Sequence, residues 1–167
     1  MAPTAALELN PLPVGFGKVG GNLEFVLAAH HALIFCPAYF AATAFHGPEG
    51  EAGYRFYFSP RTLSGPFLGV GIMGAAFSYL HEASDCPQGQ VCLTRFDSTR
   101  LYGATVEFGT QWIVKDWFLL GVGGGFIFQH ATRRQYELYG DDFSNQAEWV
   151  LDSGVRPRVL FSVGVVL

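Results

Sequence analysis

Between Arg100 and Gln129 large apolar side chains recur at every second position. Tyr102, Ala104, Val106, Phe108, Thr110, Trp112 and Val114 fall on one parity, and Gly103, Thr105, Glu107, Gly109, Gln111 and Ile113 on the other. Beyond Lys115-Asp116 the pattern resumes, with Phe118, Leu120, Val122, Phe126 and Phe128 against Leu119, Gly121, Gly123, Gly125, Ile127 and Gln129. A two-residue period marks strands with two different environments. Here the apolar face is continuous and bulky, while the other holds glycine, threonine, amides and a carboxylate. That distribution predicts a hairpin of a transmembrane β-barrel, apolar toward lipid and polar toward the lumen.

The same reading carries along the chain. A first strand is predicted over Thr4–Phe16, with Leu7 and Leu9 opposite in facing to Glu8 and Asn10, and weakened by Pro11 and Pro13. Gly17–Gly21 reads as a tight turn, followed by a second strand in which Leu23, Phe25 and Leu27 oppose Glu24 and Ala28. His30-His31 turns the chain into a third strand, Leu33–Thr43. Phe45–Ala52, with two glutamates, two glycines and Pro48, reads as a polar loop. A fourth strand, Gly53–Ser59, has Arg55 and Tyr57 inward. Pro60–Pro66 turns into a fifth, Phe67–His81, with a bulge or a change of crowding expected at Gly74-Ala75-Ala76. Two long polar segments, Glu82–Thr99 and Arg133–Ser153, flank the hairpin, and a last strand runs over Gly154–Leu167.

The expectation is an all-β fold: one domain over residues 4–167, an eight-stranded antiparallel transmembrane barrel. Connections after the second, fourth and sixth strands are short, and those after the third, fifth and seventh longer. Outer-membrane barrels have short periplasmic turns and longer outside loops, so both termini are expected on the periplasmic side. A transmembrane helix over Leu23–Phe45 is the rival, since about 20 apolar residues span a bilayer. His30-His31 and Pro37 interrupt it, and Gly121–Gly125 would cripple a second helix.

Composition sharpens this picture. Half the residues are hydrophobic, 14% are charged and mean hydropathy is +0.25, high for a soluble domain of this size. A soluble core gains little from 21 glycines, which leave nothing to pack; a crowded barrel interior uses them as space for neighbouring side chains, as the run Gly121–Gly125 is read. A net charge of −4, and lysine only at 18 and 115, exclude a nucleic-acid binder or a polybasic membrane patch. Met1-Ala2-Pro3 lacks the basic and apolar regions of a leader, so a signal peptide is expected to have been removed from an outer-membrane protein.

The inward parity collects Glu8, Glu24 and Glu107 with Arg55, Arg156 and Arg158. Eight strands leave an interior just wide enough for its own side chains, and an unpaired buried ion is costly. These six residues are expected to form an ion-paired plug; a narrow channel for small solutes would need a wider lumen. Cys86 and Cys92 share a Pro- and Gly-containing segment and are expected to close a loop as a disulfide. No His or Cys pair nearby completes a metal set. Cys36 reads as a small apolar filler. Trp112 and Trp117 bracket the hairpin turn and are expected in an interfacial aromatic girdle.

For catalysis, the rim-side candidates are His46, His81, His130, Ser78, Ser144 and Glu137, but no spacing forces a nucleophile against a base. No phosphate-binding loop is present, because the Gly121–Gly125 run lacks the following helix and lysine. No cofactor is expected. A lipid-modifying enzyme at the outer rim is the alternative to a non-enzymatic barrel.

Val159, Phe161, Val163, Val165 and Leu167 make an alternating row that resembles the C-terminal signal read by the outer-membrane assembly machinery, with Leu167 where that signal usually has phenylalanine. The segments Glu8-Leu-Asn-Pro-Leu, Leu23-Glu-Phe, His30-His-Ala-Leu, Gly103–Trp112 and Arg156-Pro-Arg-Val-Leu-Phe are similar to an uncharacterised branch of the small OmpA-, OmpX- or OmpW-like barrels of Gram-negative bacteria. The resemblance implies a fold and a membrane, with no reaction attached. Its expected partners are the lipid bilayer and a protein met through the outside loops, by way of Tyr136, Tyr139 and Trp149.

Overall fold

The computed structural model describes residues 4–11, 17–41, 45–59, 63–81, 95–132 and 153–167. Eight strands, β1 (Ala5–Leu9), β2 (Lys18–Ala28), β3 (His31–Ala41), β4 (Phe45–Tyr57), β5 (Gly65–His81), β6 (Arg95–Val114), β7 (Phe118–Thr132) and β8 (Gly154–Val166), form an antiparallel barrel closed in sequence order. Closure is made by β1 on β8, from Ala6 opposite Val166 to Leu9 opposite Val163. The Leu167 amide donates to the Ala5 carbonyl at 2.8 Å, and the Thr4 amide to the Leu167 carbonyl at 3.1 Å.

Alternation decides what each wall face carries. Leu7, Leu23, Phe25, Phe35, Leu68, Val70, Ile72, Phe108, Val122, Phe126 and Phe128 stand on the outside and are exposed. Glu8, Glu24, Arg55, Thr105, Glu107, Gln111 and Ser162 are buried inside. A soluble sheet places its large apolar side chains the other way round.

Both termini lie at one end of the barrel, with the β2–β3, β4–β5 and β6–β7 turns; this is the terminal end, and the opposite one is the loop end. The β6–β7 reversal places Lys115 and Asp116 at φ 55° and 62°, two consecutive left-handed residues that turn the chain in the sense of the strand twist. Ala6, Ala32, Leu63, Leu119 and Leu160, with Val26, Ile113 and Val166 against them, pack around Tyr57 and Phe67 as an apolar floor.

After Leu23 the chain forms the strand, turn and strand read from the sequence, and not the rival helix, with Leu23 opposite Phe35 and Phe25 opposite Leu33. The structure departs from the sequence reading elsewhere. Residues 18–21 belong to β2, where Gly21 pairs with Leu9 and Lys18 with Phe40. The supposed loop 45–52 is the first half of β4. Glycine, proline and acid are tolerated there because small residues face out, the acids face in, and no ladder pair joins Gly47-Pro48 to β5, where proline has no N–H to give. No bulge occurs at Gly74–Ala76; the β5–β6 register is unbroken from Gly65–Gln111 to His81–Arg95, and a register shift lies instead in the β2–β3 pairing between Val26 and Ala28.

Candidate functional site

β4 hangs one row of polar side chains down the interior: Tyr57, Arg55, Glu51 and Glu49, all on one parity. Arg55 holds the terminal half. Its Nε donates to Glu107 Oε1 at 2.5 Å and its Nη1 to Glu24 Oε2 at 2.9 Å, with Glu8 Oε1 at 3.9 Å. The guanidinium carbon stands 4.5 Å from the Phe67 ring centroid, a cation–π contact that shields it from below. Tyr57 donates to Glu24 Oε1 at 2.5 Å and touches the Gln111 amide; Gln111 Nε2 donates to Glu8 Oε1 at 2.9 Å. One guanidinium therefore faces three carboxylates, and two neutral donors share the load. Glu8 Oε2 and Glu107 Oε2 are buried with no hydrogen-bond partner among the described residues.

Glycines make the room. A Cβ on Gly69 would lie 2.6 Å from Glu107 Cγ, and one on Gly121 would lie 2.4 Å from Ser162 Oγ and 3.2 Å from Gln111 Cγ. The rest of the run differs from the sequence reading. At Gly123 and Gly125 the crowding atoms are the Phe108 and Val106 carbonyl oxygens at 2.4 and 2.1 Å, so these glycines admit the β6 backbone and not a side chain.

Toward the loop end the contacts change partners. Arg158 Nη1 donates to Glu51 Oε2 at 2.6 Å, and Thr105 Oγ1 to Glu51 Oε1 at 2.6 Å. Lys18 Nζ donates to Glu49 Oε1 at 2.5 Å, above the Phe40 ring. Side-chain exposure rises in step: 3% for Arg55 and 0% for Glu24, then 15% and 7% for Arg158 and Glu51, then 25% and 12% for Lys18 and Glu49. A cavity of about 110 Å³ lies against these outer pairs, lined also by Asn10, Asn22, Cys36 and Met73. Below it, a void of about 10 Å³ touches Arg55, Gln111, Asn22 and Ser162. The first has room for several waters and the second scarcely for one. Cys36 lines this cavity, opposite Glu51 in the β3–β4 register.

The six lumen residues singled out from sequence thus divide. Glu8, Glu24, Glu107 and Arg55 converge, Arg158 goes to Glu51, and Arg156 is buried on the same face of β8 two positions nearer the loop end. Lys18, Glu49, Glu51, Thr105 and Gln111 were missed. Continuing the Arg55 parity backward through 53, 51 and 49 would have found the two acids. Trp112 and Trp117 are exposed at the terminal end on either side of the hairpin turn.

The rim candidates do not assemble a catalytic set among the described residues. Ser153 Oγ lies 3.4 Å from His130 Nδ1, but it accepts the Ala131 amide at 2.9 Å and so caps the open edge of the β7–β8 ladder. His46 lies opposite Ser78 in the β4–β5 register. At the other end, His30 Nδ1 bonds the Tyr57 carbonyl at 2.8 Å and His31 bonds the Tyr54 hydroxyl, closing the turns. No three His, Cys, Asp or Glu side chains converge as a metal cluster among the described residues. Cys86, Cys92, Glu137, Ser144, Tyr136, Tyr139 and Trp149 lie outside them.

Neither a protein-family model nor a curated protein matches the sequence. Among solved structures, the chain is similar to the crystal structure of the N-terminal β-barrel domain of Pseudomonas aeruginosa OprF. The TM-score is 0.56 at 13% identity, over 99% of this chain and 98% of that one. At that identity the likeness is one of fold, and at that level it agrees with the small-barrel resemblance of the sequence.

Proposed function

We propose that this chain is an integral, non-catalytic barrel of the bacterial outer membrane, one domain over residues 4–167, with a lumen closed by the Arg55 cluster and a structural or binding role carried by its loops. The observation that supports it most is the inversion of the wall. An apolar exterior of this extent suits hydrocarbon and would be an aggregation hazard in water, while the ion pairs sit inside. In this reading the termini and short turns face the periplasm after a leader has been cleaved, Trp112 and Trp117 form part of an interfacial girdle, and the β8 row ending at Leu167 is read by the assembly machinery. The six residues Glu8, Glu24, Arg55, Glu107, Arg156 and Arg158 act in holding the lumen shut. The segments 82–94 and 133–152 face outward, the first closed by a Cys86–Cys92 disulfide and the second offering Tyr136, Tyr139 and Trp149 to a protein partner.

The barrel is tested by refolding into detergent. Folded and boiled samples should migrate differently on a gel, and a chain that stays soluble without detergent defeats the proposal. In planar bilayers the wild type should show no discrete openings; steady unit conductance would replace the plug with the channel reading. Pull-down from native membranes with wild type and a Tyr136→Ala/Tyr139→Ala/Trp149→Ala variant tests the loop role: a partner retained equally by both removes those residues from it.

A further inference from the structure

Among the described side chains, the outward face of the eight strands carries one charged group, Arg100 on β6. It is exposed and shares its parity with Trp112, with Tyr102, Ala104, Val106, Phe108 and Thr110 between them. The twelve residues from Trp112 back to Arg100, at about 3.3 Å each and a strand tilt of about 40°, rise about 30 Å along the barrel axis. A bilayer's hydrocarbon core is about 30 Å thick. With Trp112 and Trp117 at one interface, Arg100 therefore reaches the headgroups of the other. An arginine on the lipid face is costly at mid-membrane and costs little near an interface, so this one stands at the level where lipid phosphates lie.

Thr132 stands opposite Arg100 on β7, its Oγ1 donating to the Arg100 carbonyl at 3.0 Å. One row toward the membrane, Tyr102 lies opposite His130 with ring centroids 5.2 Å apart, polar-tipped rings of the kind that gather at an interface. On the other flank, β5 sets Ala76 opposite Arg100 and Gly74 opposite Tyr102, and β4 and β3 continue the row with Gly50 and Pro37. All four are exposed, and Phe35, Ile72 and Tyr102 stand out around them. A Cβ on Gly50 would meet nothing within 4 Å, and one on Gly74 only the Leu101 carbonyl oxygen at 3.9 Å. At Gly103, Gly123 and Gly125 it would instead strike backbone at 2.2, 2.4 and 2.1 Å. Backbone packing thus demands glycine at those three positions and not at 50 or 74. The bare pair leaves a shallow apolar trough on the outside of the barrel, about 10 Å or two strands across, beside the guanidinium.

We infer that this face holds one anionic, phosphate-bearing lipid of the leaflet at the loop end, with the Arg100 guanidinium on its phosphate and an acyl chain in the trough. Arginine offers a planar, permanently charged fork that meets phosphate oxygens two at a time. Thr132 and His130 flank it as further polar contacts for the headgroup. The charge selects a phosphate, and the trough selects a lipid over the free anion. Because the site needs lipid at the wall, it rests on the membrane reading above and goes beyond it in naming a ligand and its place.

The test uses the full chain refolded in neutral detergent, with heat-dependent gel mobility to show that each variant is folded. Native mass spectrometry is run with dioleoyl phosphatidate and, separately, with dioleoyl phosphatidylcholine, which carries the same acyl chains under a zwitterionic headgroup. The folded parent should retain one phosphatidate per barrel, about tenfold more tightly than phosphatidylcholine. Arg100→Gln should bring phosphatidate down to the phosphatidylcholine level. Gly50→Leu, which fills the trough and touches no charge, should weaken phosphatidate retention about threefold or more. Equal retention of the two lipids by the folded parent, or an unchanged preference in folded Arg100→Gln, overturns the site and leaves the membrane reading standing. Unchanged retention in folded Gly50→Leu removes the acyl trough from it. A parent that never acquires the folded mobility defeats the membrane reading, and the site with it.

Discussion

Toward the termini, the lumen packs Arg55, Glu8, Glu24, Glu107, Tyr57 and Gln111 onto an apolar floor with almost no space left over. Toward the loops, Arg158–Glu51 and Lys18–Glu49 line a cavity ten times larger and reach partial exposure. The two halves use the same chemistry, and water is what separates their energetics. A charge that keeps some hydration loses little when its partner goes. A charge with none depends on its partner entirely.

Four substitutions probe that difference, in descending order of effect. Arg55→Ala strands three buried carboxylates and should lower the unfolding free energy by about 3–5 kcal/mol, read by urea titration of tryptophan fluorescence in detergent or vesicles. A loss below about 1 kcal/mol would mean that the terminal half is as hydrated as the other. Gly69→Ala pushes a methyl onto Glu107 Cγ and should cost about 1–3 kcal/mol through overpacking, though it removes no polar group. If it is silent, the cluster has slack that the tight void does not suggest. Arg158→Ala, at intermediate exposure, should cost about 1–2 kcal/mol. Lys18→Ala should cost at most about 1 kcal/mol, and that difference should shrink as salt rises to 1 M. A Lys18 effect that equals that of Arg55, or ignores salt, would erase the distinction between the halves.

The β6–β7 hairpin was legible because its parity contrast is large: aromatic and branched residues against glycine, threonine and amides. The same rule failed at β4. There Pro48 and Gly50 occupy outward positions, so the apolar half of the alternation disappears and only Glu49 and Glu51 remain visible, looking like loop acids. Their partners, Lys18 and Arg158, lie 31 and 107 residues away, beyond any local pattern. Lys18 was also hidden by glycines that look like a turn but serve the close approach of β2 to β3; a Cβ on Gly20 would lie 2.6 Å from that of Ala38. The charged character of the lumen could be read from parity. The choice of partner could not, because it depends on which strands face each other across the barrel.

β1 gives the cluster a second meaning. It is five residues long and has few ladder bonds to offer at the seam. Yet Glu8, its fourth residue, takes a hydrogen bond from Gln111 on β6 and lies beside Arg55 on β4, so the strand is moored to distant walls as well as to its neighbours. The closing strand is thereby keyed. A frameshifted docking of β1 on β8 by one residue would turn Glu8 to the outside and Leu7 onto the guanidinium, and the lumen itself proofreads the join.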